Sequence, residues 1–102
     1  LAARAMAADP GNRGAWHLWA LTEGMPRERM MRWKQVVERF PEDDLARASL
    51  ADNATSLASA ERDREALQIA IRSYEMLRRR TTNPTQLAAV EQALATLRSW
   101  TL

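Results

Sequence analysis

The segment DPGNRGAWHLWA at residues 9–20 decides the interpretation of the fold. It opens with a compact group of turn-forming residues and continues into large apolar residues that suit one side of a helix. Pro10 and Gly11 interrupt any helix that precedes them, and Asn12 stands where a side chain can cap the next one. The segment therefore predicts one helix that ends before Pro10 and another that begins near residue 13.

Three further breaks follow along the chain. Gly24 and Pro26 bracket the first of them, because Gly suits a left-handed helix end and Pro suits the first turn of the next helix. Pro41 marks the second and precedes three acidic residues, which favour a helix start by facing its positive dipole end. Asn83 and Pro84 form the third, as a cap and a first-turn residue.

Between the breaks, apolar residues recur every three or four positions, and the strict alternation of a strand is absent over any useful length. The predicted helices cover residues 1–8, 13–22, 26–39, 42–57, 60–80 and 84–100. The stretch 42–80 contains neither Gly nor Pro but is too long for one packed helix, so we place a break between 56 and 60 with Ser59 as the cap. Short connections imply antiparallel neighbours. We predict an all-α fold of about five to six helices packed as antiparallel pairs.

The composition is that of one ordinary globular domain. Of 102 residues, 46% are hydrophobic and 27% charged, a balance that excludes a disordered chain. The absence of cysteine excludes disulfides and thiolate metal sites. The net charge is only +2, and arginine supplies nearly all of the positive charge, as in proteins from high-GC genomes.

The compartment follows from what the sequence lacks. No apolar run approaches the roughly 20 residues that span a bilayer, and no signal peptide is visible. The chain reads as a piece of a longer protein, because it begins without Met and inside a predicted helix. We predict a cytoplasmic location and no membrane insertion.

An internal repeat emerges when the breaks at Pro10, Pro41 and Pro84 are superimposed. Alanine stands five residues after each proline, and the prolines are 31 and then 43 residues apart. Repeats of this size built from helix pairs are typical of helical solenoids. Alanine at a recurring position also suits the point where two helix axes cross closest. The alanines are Ala15, Ala46 and Ala89.

Residues 9–20, together with the segment FPED at 40–43, resemble the tetratricopeptide repeat family. In that family an aromatic residue opens the first helix, a large apolar residue follows three positions later and a small residue comes next, as Trp16, Trp19 and Ala20 do here. Pro41 matches the proline that closes the second helix. The unit is about three residues shorter than the usual repeat, and Arg47 stands in the second unit where Trp16 stands in the first.

The resemblance implies a single domain over residues 1–102 of a bacterial protein, stacked as a short right-handed superhelix. Residues 1–9 would be the end of a truncated preceding repeat and 10–40 the best-matching repeat. Residues 41–82 would be a degenerate repeat, and 83–102 a capping helix.

No pattern in the sequence indicates catalysis, a cofactor or a metal site. His17 is the only histidine and there is no cysteine to pair with it, so a nucleophilic pair or a multi-histidine metal site is excluded. Glu42, Asp43 and Asp44 are consecutive and therefore diverge by about 100° each around a helix. We predict a protein that is not an enzyme.

The resemblance implies a concave surface lined by the first helix of each pair, which binds a protein or peptide. The positions that match the family's groove are His17, Leu21, Ala48, Asp52 and Thr55. The favoured function is a non-catalytic protein–protein interaction scaffold.

Two alternatives remain open. The chain could be a structural or self-association module, which caps a longer repeat array or forms a homodimer, and an exposed apolar face near its start would favour this reading. The run Arg78, Arg79 and Arg80 could contact an anion or a nucleic acid, although cations at a helix C-terminus are also favoured by the dipole.

The four tryptophans are the remaining candidates for a contact surface. We predict that Trp16, Trp19 and Trp33 pack between the helices of the first pair. Trp100 is the one we expect to be exposed or to meet a missing neighbour.

Overall fold

The computed structural model describes residues 2–102 and shows six α-helices and no strand in that range. About 79% of the chain is helical, so the all-α prediction and the predicted number of helices are confirmed. The helices are α1 Ala2–Ala8, α2 Arg13–Leu21, α3 Pro26–Arg39, α4 Asp44–Glu61, α5 Arg64–Arg80 and α6 Pro84–Arg98.

Side-chain caps begin four of the helices. The Oδ1 atoms of Asn12 and Asn83 accept hydrogen bonds from the first-turn amides of α2 and α6, which confirms both predicted caps. Asp43 and Asp63 do the same for α4 and α5. Each cap satisfies an amide that the helix itself leaves without a partner.

The predicted break between 56 and 60 is wrong. Helix α4 continues through Ser59 to Glu61, and α5 begins at Arg64 with Asp63, rather than Ser59, as its cap. The chain turns at Arg62, whose backbone adopts a left-handed conformation with φ 52° and ψ 42°. Glycine usually occupies such a position, so an arginine there gives the sequence no recognisable stop signal.

Two smaller expectations also fail. Gly24 does not end α2 in a left-handed conformation, because α2 closes at Thr22 in a right-handed one and no glycine of the described chain has a positive φ. Trp100 is half-buried and packs against the core instead of lying exposed. The remaining helix ends agree with the predicted ones to within two residues, and both ends of α3 coincide with them.

Each helix packs chiefly against the helix before it and the helix after it along the chain. The molecule is consequently flat, at 43 × 32 × 17 Å between Cα atoms. Helices α4 and α6 both pack on α5 but share no extensive contact with each other. A recess is therefore left between α4 and α6, and α5 forms its floor.

The two central helix pairs are filled in different ways. Large side chains of α3 are buried, with Trp33 only 2% exposed and Met30 and Val36 fully enclosed, and the Trp33 ring meets His17 of α2. The buried positions of α4 and α5 are mostly alanines, among them the fully buried Ala54 and Ala70, beside the leucines Leu50, Leu57 and Leu77. Of the three repeat alanines, Ala15 and Ala46 are buried as expected, whereas Ala89 is exposed.

Candidate interaction surface

One side of α4 is left open by the fold. Leu45, Ala48, Asp52, Ser56 and Ser59 follow one another at intervals of three or four residues, so they lie on a single face of the helix. All five are exposed or half-buried, and Leu45 is 67% exposed. We call these five residues the α4 surface. Four of them are small or short, which allows another chain to approach the helix closely.

A groove runs beside the first two turns of α4 and has a volume of about 480 Å³. Leu45 and Ala48 form one wall, Leu77 of α5 lies in the floor, and Ala89 and Val90 of α6 form the other wall. We call it the α4–α6 groove. Its lining is largely apolar, as expected of a site that takes up an apolar side chain.

Polar groups border this apolar lining. The side chains of Asn83 and Gln86 at the start of α6 line the same groove, with Thr81 and Thr82 before it. The ion pair of Asp44 with Arg80 also lines it. These amides and hydroxyls can donate and accept hydrogen bonds. The groove therefore combines an apolar interior with a few orienting polar groups.

A second recess, of about 250 Å³, lies on the other side of α4. It is more polar, because Arg29 of α3 and Asp52 and Ser56 of α4 line it. Arg29 is fixed there by a 2.8 Å hydrogen bond from its Nε to Asn53 and a 3.1 Å bond to the Glu23 carbonyl oxygen. The α4 surface is thus flanked by a recess on each side.

Asp52 connects the α4 surface to α5. The Tyr74 phenol donates a 3.1 Å hydrogen bond to Asp52 Oδ1. Burial of the phenol, reinforced by the charge of Asp52 and by this hydrogen bond, raises the pKa of Tyr74 above its usual 10.0. The Thr55 hydroxyl faces the same phenol, but its buried oxygen forms no hydrogen bond of acceptable geometry within the described chain.

His17 lies elsewhere, at the junction of α2 with the start of α4. Its Nε2 is 2.6 Å from Asp43 Oδ2, and its ring meets the Trp33 ring edge-on at 5.2 Å between centroids. Burial alone would raise the pKa of Asp43. The hydrogen bonds from the Ala46 amide and from His17, with the charges of His17 and Arg13, outweigh that effect and lower the Asp43 pKa below 3.8. The contact of His17 ties two helices together and leaves its ring less available to a peptide.

The five groove residues implied by the family resemblance are therefore not all brought together. Ala48 and Asp52 lie on the α4 surface, but Thr55 turns its hydroxyl inward and His17 binds Asp43. Leu21 is exposed on α2 and lines neither recess of α4.

Sequence reasoning missed Leu45 and the wall that α6 supplies. The signal for Leu45 was present, since a leucine three residues before Ala48 shares its helix face. Nothing in the sequence indicates that α6 would stand apart from α4.

The three consecutive arginines do not form a single patch. Arg80 donates hydrogen bonds to the Asp44 carboxylate and, over 3.1 Å, to the Glu42 carbonyl oxygen. Arg78 and Arg79 are exposed. Successive residues diverge by about 100° around a helix, so these three cations point in different directions.

Within residues 2–102, no group of three or more His, Asp or Glu side chains is placed to hold a metal ion. None of the described helices has the length and apolar character needed to cross a membrane.

No protein-family model, curated protein or solved structure matches this chain. The adjacent helix pairs are therefore established by the structure alone, and the tetratricopeptide resemblance remains a prediction.

Proposed function

We propose that this chain is a non-catalytic protein–protein interaction scaffold that binds a peptide segment of a partner protein along the α4 surface. The observation that supports this function is the α4–α6 groove, an apolar recess with a polar border that the core leaves unfilled. Concave sites of this kind, rather than flat surfaces, are where proteins bind ligands with specificity.

An apolar side chain of the peptide enters the groove between Leu45, Leu77 and Val90. Burying such a side chain contributes about 1.5–3 kcal/mol, which makes it the main source of affinity. The amides of Asn83 and Gln86 hydrogen-bond to the peptide backbone and fix its direction.

The rest of the peptide lies along the α4 surface. A helix of 18 residues is about 27 Å long, and an extended peptide of about eight residues covers the same length. Ser56 and Ser59 offer little bulk, so the peptide backbone can approach α4 closely there. Asp52 supplies the one negative charge of the α4 surface and favours a peptide with a basic residue near its middle.

The test begins with a library of displayed random peptides selected against the whole chain. The affinities of the selected peptides are then measured by fluorescence anisotropy for wild-type protein and for the variant Leu45→Glu. Since Leu45 is exposed, the variant should fold normally and bind the peptides at least about tenfold more weakly, because a carboxylate would be desolvated in the groove.

Met76→Glu is the matched control, since Met76 is also an exposed apolar residue but lines neither recess of α4. Its affinities should stay within about twofold of wild type. If no selected peptide distinguishes Leu45→Glu from wild type, the groove is not the binding site.

A further inference from the structure

Two arginines share one carboxylate at the end of the α4–α6 groove. Asp44, the first residue of α4, accepts a hydrogen bond from Arg80 Nε through its Oδ1 atom. The same oxygen lies 3.7 Å from Nη1 of Arg47, one turn further along α4. Among the described residues, neither arginine forms an ion pair with any other acid. Two positive charges therefore face one negative charge, and we call these three side chains the Asp44 cluster.

The acids that precede Asp44 in the chain are already engaged by other groups. Glu42 Oε1 lies 3.6 Å from Arg13 Nη2. The Asp43 carboxylate is 2.6 Å from the His17 ring. Glu42 offers the cluster only its backbone carbonyl oxygen, which accepts a 3.1 Å hydrogen bond from Arg80 Nη2. No second carboxylate of the described chain therefore compensates the second guanidinium.

Arg47 is the member of the cluster that lacks hydrogen bonds. Its side chain is only 9% exposed, and its buried Nη1 atom has no hydrogen-bond partner within the described chain. Burying a charged donor without an acceptor costs free energy. The Asp44 side chain is 50% exposed, so it has room to turn toward Arg47 and accept a hydrogen bond from it.

The other two members of the cluster face the peptide site. Among the described residues that line the α4–α6 groove, Arg80 is the only basic one and Asp44 the only acidic one. Arg80 Nη1 forms no hydrogen bond within the described chain. If Asp44 turns to Arg47, the Arg80 guanidinium is left open to a carboxylate from outside, which it can bind through two N–H groups at once.

We propose that the α4–α6 groove selects a peptide with an Asp or Glu side chain beside its apolar anchor, and that Arg80 binds this carboxylate while Asp44 turns to Arg47. This inference rests on the proposed function, because it names the chemistry of the peptide that the groove takes. In the bound state each guanidinium of the cluster faces one carboxylate. Arg80 determines the specificity, and Arg47 is a positioning residue that acts through Asp44.

The helix α4 also sets the spacing of charges along the peptide. Asp44 and Asp52 are eight residues apart, which corresponds to about 12 Å along a helix. An extended peptide covers this distance in about four residues. Since Asp52 favours a basic residue, the peptide should carry its acid and its basic residue about four positions apart, with the apolar anchor next to the acid.

The probes for this inference are the peptides selected from the displayed random library. Their sequences should be enriched in Asp or Glu next to an apolar residue, and in Lys or Arg about four positions away. One such peptide is then compared by fluorescence anisotropy with its amide counterpart, in which Asn or Gln replaces the acid. The wild-type chain should bind the amide peptide about tenfold more weakly, because the charge-assisted hydrogen bonds to Arg80 are lost.

The variant Arg80→Gln assigns this preference to one residue. It should bind the acidic peptide and the amide peptide equally to within about twofold, because no guanidinium is left to contact the acid. Arg79→Gln is the matched control, since Arg79 is the exposed neighbour of Arg80 and does not line the groove. It should keep the preference of the wild-type chain for the acidic peptide.

Two further variants test the movement of Asp44. Asp44→Asn removes the competing carboxylate while Asp43 still caps α4, and it should bind the acidic peptide at least about threefold more tightly than wild type. Arg47→Met replaces a buried charge by an apolar side chain, a change that a fold tolerates well. Asp44 then stays on Arg80, so the preference for the acidic peptide should fall to about threefold or less. A purely structural role of Arg47 would instead weaken both peptides alike.

Selected peptides that lack an acid beside the anchor would overturn this inference, and so would an Arg80→Gln variant that still prefers the acidic peptide. The movement of Asp44 is refuted if Asp44→Asn binds the acidic peptide more weakly than wild type. The proposed function survives these results as long as Leu45→Glu still weakens peptide binding. A library in which no peptide depends on Leu45 refutes the proposed function itself, and this inference with it.

Discussion

The first helix pair, α2 with α3, is held together by large aromatic side chains, and the second, α4 with α5, by alanines. In the first, the Trp16 ring meets Phe40 edge-on at 6.0 Å, and the Arg32 guanidinium lies 4.8 Å from the Trp19 ring. In the second, Ala54 and Ala70 are fully buried, and α4 and α5 share the most extensive helix contact of the molecule.

The difference shows two ways in which a small domain without disulfides can close a helix pair. Bulky rings stabilise a helix pair through the apolar area that each ring buries. Small residues stabilise it by letting the two helix backbones approach closely. The position equivalent to Trp16 in the second pair is Arg47, which is buried, whereas Trp16 is half-buried. The nearest acid to Arg47 is Asp44, at 3.7 Å, a distance too long for a good hydrogen bond, so this position contributes less than its counterpart.

The largest effect is expected from truncating the main side chain of the first pair. Trp33→Ala should lower the free energy of unfolding by about 3–5 kcal/mol, because it removes a fully buried ring and leaves a cavity. The indole nitrogen of Trp33 has no hydrogen-bond partner in the described chain, so no such bond is lost.

Urea unfolding followed by circular dichroism measures this change. Met31→Ala, on the exposed side of the same helix, should change stability by roughly 0.5 kcal/mol or less. A loss of about 1 kcal/mol or less for Trp33→Ala would mean that large side chains do not dominate the first pair.

The second pair should respond in the opposite way, to added rather than removed volume. Ala54→Leu should destabilise the chain by roughly 1–3 kcal/mol, because Ala54 is fully buried and the packed core has no space for the added side chain. Ala60→Leu lies on the exposed side of α4 and should be nearly neutral in the same unfolding measurement. If Ala54→Leu proves neutral as well, the contact between α4 and α5 is looser than in this structure.

The smallest effect concerns the junction between the two pairs. Asp43→Asn retains a good helix cap but removes the charge that faces His17 and Arg13. At neutral pH it should therefore cost about 1–2 kcal/mol.

The difference between Asp43→Asn and wild type should depend on pH. Because the folded-state pKa of Asp43 lies below its ordinary value of 3.8, the carboxylate stabilises the fold above that pH. The benefit is lost as the pH falls through the lower folded-state pKa. Stability measured from pH 7 downward should converge for the two proteins in acid. Asp9→Asn, an exposed control, should follow wild type at every pH.

Much of the fold follows from local signals that the sequence displays. Prolines and asparagines mark the starts of α2 and α6 because their backbone restriction and capping ability are properties of those residues alone. The turn between α4 and α5 carries no such local signal, and the predicted position of this turn was therefore wrong. Arg62 adopts a conformation that residue preference assigns to glycine, and Asp63 is indistinguishable in sequence from its charged neighbours.

The candidate site was less predictable than the fold. The family resemblance, rather than any signal in the residues themselves, pointed to Ala48 and Asp52, and both lie on the open face of α4. The role of Asp43 as the partner of His17 was not foreseen, because the two residues come from different helices. The α4–α6 groove depends on the distance between two helices that barely touch, which residue spacing does not encode.

The packing of each helix on its sequence neighbours also governs how the chain acquires its structure. The extensive helix–helix contacts all join helices that are consecutive along the polypeptide. Few long loops must therefore close before the free energy gained from contacts offsets the entropy lost by the backbone. Folding of such a chain is expected to take on the order of milliseconds or less. Among the residues that the structure describes, α1 packs extensively on α2 alone and α6 on α5 alone. They should exchange their amide hydrogens before α4 and α5, so that the molecule opens from its ends toward its middle.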